Sequence, residues 1–201
     1  MLAETAAGST SAAAVTAEGS TSVAASTSEK VAYLLRAVNV GGNKVPMAEL
    51  RTLASDLGAE DVATYVNSGN LVCVPPGDAD DFGTALAKGI ADQMGVTTDA
   101  VARTGAELRA AQEAYPFEIH DPKFCHVWFF TIAPSRKAAE AVEAYDFGDD
   151  RLRVLGRELH LWYADGAGRS AVTAPRLLKL AGVPGTGRNL RTVEKLAAMA
   201  Q

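Results

Sequence analysis

The distribution of apolar residues after position 30 predicts short strands alternating with helices. The run VAYLLRAV, residues 31–38, is apolar and rich in strand-forming residues, which is typical of a central strand buried on both faces. Residues 47–57 then carry apolar side chains at helical spacing behind Pro46, a residue suited to the start of a helix. The stretch DVATYVNSGNLVCV predicts two strands joined by a tight turn at Gly69.

A second helix and a fourth strand complete this part of the pattern. Residues 80–94 predict a helix, and TTDAVART, residues 97–104, predicts a strand. The resulting order β-α-β-β-α-β is that of the ferredoxin-like arrangement, in which both helices cover one face of an antiparallel sheet. We therefore expect an α+β protein whose N-terminal ferredoxin-like unit spans residues 30–104.

Residues 105–201 predict a second, smaller α+β unit packed beside the first. Its predicted strands are CHVWFFTI and the two alternating stretches of RLRVLGRELHLWY. Two short helices are predicted at residues 174–181 and 191–200. The glycine-rich stretch GVPGTGRN between them is predicted to be a loop.

The first 29 residues differ in composition from the rest of the chain. They are mostly Ala, Ser and Thr, with almost no large hydrophobic residues. Burial of so few apolar groups cannot offset the entropy lost on ordering, so we predict a disordered tail over residues 1–29. The tail lacks the features of a secretory signal, and no stretch has the length of a membrane span, so a cytoplasmic protein is the expectation.

The net charge and the cysteine spacing bear on whether the protein binds nucleic acid or a metal ion. The net charge of −5 argues against wholesale coating of nucleic acid, which requires clustered Lys and Arg, although a local basic cluster could still bind a nucleic-acid end. Cys73 and Cys125 lie in predicted strands and lack the spacing of a zinc site, so we expect buried free thiols. No metal ligand set or cofactor motif is recognisable.

The loop RAVNVGGNKVPMAEL, residues 36–50, is unusually rich in hydrogen-bonding groups. Its adjacent glycines free backbone N–H groups to face an anion, while an arginine, a lysine and the following helix N-terminus add positive potential. The candidate ligand-binding residues of this loop are Arg36, Asn39, Gly41, Gly42 and Lys44. The alternative is that Asn39 and Asn43 only cap and turn the backbone.

A second polar, glycine-rich region lies near the C-terminus, in DGAGRS and GVPGTGRNLRTVEK. Six basic residues and one acidic residue lie between positions 169 and 195. This imbalance is typical of a contact with phosphate or another polyanion. The candidate ligand-binding residues here are Arg169, Ser170, Arg188 and Asn189. The alternative is a solvated helix face with ion pairs at i,i+3 and i,i+4.

The two regions resemble the bacterial family called domain of unknown function 1697, with a likeness over residues 32–198. The N-terminal motif consists of Arg36, Asn39, Gly41, Gly42, Pro46 and Met47, followed by the turn Ser68-Gly69-Asn70. The resemblance implies paired α+β units and no particular activity. Ala171 and Leu190 stand where the family typically has Lys and Trp, so this chain lacks an ammonium group and an indole near the C-terminal candidate residues.

These observations favour binding of an anionic small molecule or nucleotide in a cleft between the two units, where the arginines would contact phosphate oxygens. One alternative is an enzyme acting on a small organic metabolite in an apolar pocket lined by Trp128, Phe130, Trp162 and Tyr163. Another is a protein-interaction module whose sheet edge pairs with a partner. No general base or nucleophile is recognisable in the sequence, so it predicts neither a catalytic residue nor a particular reaction.

Overall fold

The computed structural model describes residues 29–201. The predicted disordered tail, apart from Glu29, lies outside the described residues. Within them the chain forms two four-stranded antiparallel sheets and six helices, which confirms the α+β prediction. No helix of this part combines the length and apolar character that crossing a bilayer requires.

The first sheet has the strand order β2-β3-β1-β4. Its strands are β1 (Val31–Leu35), β2 (Glu60–Tyr65), β3 (Asn70–Val74) and β4 (Ala100–Thr104). Helix α1 (Met47–Asp56) connects β1 to β2, and helix α2 (Ala79–Met94) connects β3 to β4. The predicted order β-α-β-β-α-β is therefore present, while the ferredoxin-like character of the unit remains a prediction.

The second sheet repeats this topology. After helix α3 (Gly105–Glu113) come β5 (Cys125–Phe130), α4 (Arg136–Ala144), β6 (Arg151–Leu155), β7 (Glu158–Trp162), α5 (Ala174–Ala181), β8 (Gly185–Asn189) and α6 (Leu190–Met199). The strand order β6-β7-β5-β8 matches that of the first sheet with every strand number raised by four. Each sheet is followed by one further helix, α3 or α6, and these two helices pack against each other.

Three apolar clusters hold the elements together. Helices α1 and α2 cover one face of the first sheet, and α4 and α5 cover one face of the second. The two remaining sheet faces share a third cluster with α3 and α6, so both halves of the chain contribute to it. The division between residues 104 and 105 remains a prediction.

Strand β8 was not expected, because its sequence GTGRN was predicted to be a loop. It pairs with β5 along its whole length, and its two glycines lie against Trp128. A Cβ atom at Gly185 would overlap the indole Nε1, and one at Gly187 would lie 2.9 Å from the indole Cε3. Glycine is required here by a tertiary contact, so the strand lacks the apolar pattern by which strands are recognised.

Candidate functional site

The structure distributes the nine predicted ligand-binding residues over three pockets, an exposed glycine turn, the protein interior and the start of helix α6. Arg36 lines a pocket between the two units. Asn39 and Lys44 line a pocket at the start of α1, and Arg169 and Ser170 line a third beside the β6–β7 strands. Gly41 and Gly42 are exposed at positive φ, whereas Arg188 is buried. The predicted residues therefore do not form one common recess.

The asparagines of the 36–46 loop hold the backbone in place. Asn39 Nδ2 donates to the carbonyl oxygens of Val45 (3.0 Å) and Asn67 (2.7 Å), and its Oδ1 accepts from the Val45 N–H (2.9 Å). Asn43 Nδ2 donates to the Ala37 carbonyl (3.1 Å). The alternative interpretation of these two residues, as groups that turn the chain, therefore accounts for their side-chain contacts.

The pocket between the units, hereafter the interunit pocket, has a volume of about 320 Å³. Its lining is formed by Arg36, Ala37, Trp128, Ala174, Pro175, Leu178, Pro184 and Gly185. Arg36 Nε donates to Asp99 Oδ2 (2.7 Å), and about a third of the arginine side chain is exposed. Trp128 Nε1 is buried and has no hydrogen-bond partner among residues 29–201. Among the described residues that line this pocket, Arg36 is thus the one charged side chain, and the other lining residues are apolar.

Arg188 connects the two sheets from the interior. Its Nε donates to Asn70 Oδ1 (2.5 Å), and its Nη2 donates to the carbonyl oxygens of Leu35 (2.9 Å) and Ser68 (3.0 Å). Nη1 donates to Thr186 Oγ1 (2.7 Å). Burial lowers the pKa of Arg188 to about 10, so the guanidinium keeps its charge at neutral pH.

Arg103 occupies the equivalent position in the first sheet. Arg103 lies opposite Ala32 in the β1–β4 pair, as Arg188 lies opposite Val127 in the β5–β8 pair. Arg103 Nη2 donates to the carbonyl of Phe130, the last residue of β5 (2.8 Å), just as Arg188 donates to the last residue of β1. Each arginine thus joins the last strand of its own sheet to the first strand of the other.

The two arginines differ in their neighbouring acceptor. Arg103 Nε bonds the carboxylate of Glu158 (3.1 Å), the first residue of β7, whereas Arg188 Nε bonds the amide of Asn70, the first residue of β3. The amide also donates to the Tyr65 carbonyl (3.0 Å), which a carboxylate could not do. Arg188 therefore has no carboxylate partner within the described part of the chain.

The other C-terminal candidates have structural contacts. Asn189 caps α6 by accepting from the Thr192 N–H (2.9 Å). Ser170 Oγ lies 2.5 Å from Asp150 Oδ2 and accepts from the Val172 N–H (2.8 Å). The pocket of Arg169 and Ser170 is lined by four aspartates, Asp146, Asp149, Asp150 and Asp165. Because these carboxylates repel anions, this pocket does not suit a phosphate group.

The four aromatic residues predicted for an apolar pocket are separated. Phe130 and Tyr163 are buried in the cluster beneath α4 and α5. Trp162 packs against the cluster between the sheets, with the Arg151 guanidinium over its ring. Of the four, Trp128 lines the interunit pocket.

The two cysteines and the histidines His126 and His160 are buried or half-buried. Cys73 and Cys125 are buried and free, as expected. Desolvation lowers the pKa of His126 and of His160 to about 4, so both rings are neutral at neutral pH. In the described range, no group of three or more His, Cys, Asp or Glu side chains is arranged to hold a metal ion.

Comparison with known proteins confirms the resemblance seen in the sequence. The chain is similar in structure to the conserved bacterial protein SP0830 from Streptococcus pneumoniae, with a TM-score of 0.68 and 24% sequence identity. That similarity covers 86% of this chain and 99% of the other, and it concerns the fold alone. No curated protein matches. A family model, described as a protein of unknown function, matches residues 29–160, and the chain therefore belongs to the DUF1697 family.

Proposed function

We propose that the protein binds a small organic anion in the interunit pocket. The ligand's apolar part lies against Trp128, and its negative group lies near Arg36. The observation that supports this proposal is that one pocket has an arginine from the N-terminal unit and a tryptophan side chain from the C-terminal unit in its lining. Its volume of about 320 Å³ suits a molecule of the size of phenyl phosphate.

Electrostatics favour an anion over a cation of the same size. Arg36 and Asp99 form an ion pair and together carry no net charge. A further positive charge, without a carboxylate partner in the described part of the chain, lies on Arg188, which donates to the carbonyl of Leu35, the residue before Arg36. Since charges in a low-dielectric interior are weakly screened, the field of this buried guanidinium reaches its surroundings more strongly than that of an exposed one.

The apolar lining restricts the ligand to one with a hydrophobic body. Leu178 is 43% exposed at this pocket, although large hydrophobic side chains are usually buried. A ligand that covered it would gain about 25 cal/mol for each Å² of apolar surface removed from water. Among the anions considered from the sequence, this favours an aromatic or aliphatic carboxylate or phosphate over a free nucleotide with its polar ribose.

Binding is measurable through the fluorescence of Trp128. The chain contains two tryptophans, so the Trp162→Phe variant leaves Trp128 as the reporter. We expect saturable quenching by phenyl phosphate and phenylacetate. Phenylacetamide should bind about tenfold more weakly, because hydrogen bonds to charged groups exceed neutral ones by about 1 kcal/mol or more.

Three variants test the role of charge. Arg36→Gln should weaken phenylacetate binding, whereas Asp99→Asn should strengthen it by freeing the arginine from its carboxylate. Arg136→Gln is the matched control, because Arg136 forms an exposed ion pair on α4. Equal affinity for phenylacetate and phenylacetamide would indicate an apolar pocket without anion selectivity. Absence of saturation with all three compounds would contradict the proposal.

A cytoplasmic location is part of this proposal. Its support is the pair of buried free thiols, which is typical of proteins from reducing compartments.

A further inference from the structure

A further pocket lies across the second sheet from the interunit pocket, between α3 and strands β6 and β7. This α3–β7 pocket has a volume of about 260 Å³. Its helix side consists mainly of alanine methyl groups, and its sheet side includes Leu155, Arg157, Glu158 and His160. It shares no lining residue with the interunit pocket.

His160 is the unusual residue of this pocket. Its side chain is 1% exposed, and neither ring nitrogen has a hydrogen-bond partner among the described residues. The equivalent position in the first sheet is Val72, which lies opposite Ala32 as His160 lies opposite Val127. The fold therefore accepts an apolar side chain here, and an imidazole without partners is an expensive replacement.

The charged groups around His160 are already paired. Glu107 Oε1 accepts from Arg157 Nη2 (2.5 Å), and Glu158 Oε1 accepts from Arg103 Nε (3.1 Å). These two carboxylates and two guanidinium groups cancel in charge. Desolvation lowers the pKa of His160 and keeps the imidazole neutral, so one ring nitrogen is able to donate a hydrogen bond and the other is able to accept one.

We propose that the α3–β7 pocket is a binding site for a small uncharged molecule whose amide or hydroxyl group forms hydrogen bonds with His160. An amide or hydroxyl both donates and accepts, which matches a neutral imidazole. The methyl groups of Ala110 and Ala114 and the Leu155 side chain provide the apolar contacts for the rest of the molecule. The site is independent of the proposed anion site.

The test is a titration followed through the ring-nitrogen resonances of the three histidines in ¹⁵N-labelled full-length protein. The probes are propanamide and 1,2-propanediol, with propionate and propylamine as charged counterparts of similar size. We expect saturable shifts of the His160 resonances with the neutral probes, and at least about tenfold weaker binding of the charged ones. The resonances of the exposed His120 should not move.

Two variants establish where the probe binds. His160→Val introduces the residue of the equivalent position and should abolish saturable binding of propanamide, followed by backbone amide shifts. Ala110→Leu fills the pocket from an exposed helix position and should abolish the His160 shifts. Ala85→Leu, at an exposed position of α2, is the control. Absence of saturable shifts in the wild type, or persistence of them in Ala110→Leu, would overturn the proposal.

Discussion

Replacing Gly185 by alanine places a methyl group between strand β8 and the ring of Trp128. The new Cβ would overlap Trp128 Nε1 and lie 2.6 Å from the carbonyl oxygen of Phe129, a residue of the neighbouring strand. The indole can shift, but the carbonyl belongs to the β5 backbone and moves only if the β5–β8 pairing is disturbed.

The expected cost follows from two opposing effects. Overpacking of a well-packed site costs about 1–3 kcal/mol. Alanine in place of glycine reduces the entropy of the unfolded chain, and this stabilises the folded protein by about 0.5–1 kcal/mol. We therefore expect Gly185→Ala to lower the free energy of unfolding by up to about 2.5 kcal/mol, which corresponds to a decrease of up to roughly 5–10 °C in Tm for a domain of this size.

The equivalent positions of the first sheet supply the matched experiment. By register, Tyr33 corresponds to Trp128 and Ala100 corresponds to Gly185. The double variant Trp128→Tyr/Gly185→Ala thus recreates a pair that this fold already contains. In a double-mutant cycle measured by urea denaturation, we expect the alanine to cost at least about 0.5 kcal/mol less in the tyrosine background. An equal cost in both backgrounds would refute the argument that the indole requires glycine.

Three further changes test the roles of individual residues. Glu158→Gln should cost about 1–3 kcal/mol in urea denaturation, because buried Arg103 loses its carboxylate but keeps a hydrogen-bond acceptor; an unchanged midpoint would contradict this role. Asn189→Ala should lower the free energy of unfolding by about 1 kcal/mol, because it removes the α6 cap, and it should leave phenylacetate affinity unchanged. A loss of affinity would indicate that Asn189 contacts the ligand. Burial lowers the pKa of His160 from 6.5 to about 4, so the unfolded chain binds the proton more tightly. The stability from neutral His160 is complete above pH 6.5 and should fall by about 1.4 kcal/mol per pH unit from there towards pH 4, and His160→Val should make the measured decline shallower.

The helices and the strands of the first sheet were predictable because their patterns are local. Helix α5 has the predicted bounds, Ala174–Ala181, since amphipathic spacing and flanking residues are read within a few turns. Strand β1 ends at Leu35, earlier than the predicted Val38, because Ala37 adopts a positive φ. The apolar pattern gives no signal for a positive φ at Ala37, since residues with a Cβ rarely adopt this conformation.

The repeated topology and the role of the arginines depend on contacts between distant residues. The equivalence of Arg103 and Arg188 follows from strand register, while neighbouring equivalent positions hold unlike residues, such as Val72 and His160. Such unlike pairs weaken any signal of the repeat in the sequence. The positive charge of Arg188 was visible in the sequence, but its partners Asn70 and Leu35 lie more than 100 residues away along the chain.

The sequence by itself determined the fold class, the order of elements in the N-terminal unit and the family, because apolar periodicity and short motifs are properties of neighbouring residues. The tertiary structure alone decided that Gly185 and Gly187 belong to a strand and that Arg188 is an internal link between sheets. It also brought Arg36 and Trp128 to one pocket. Such outcomes depend on which groups are buried together, and burial is a property of the packed chain as a whole.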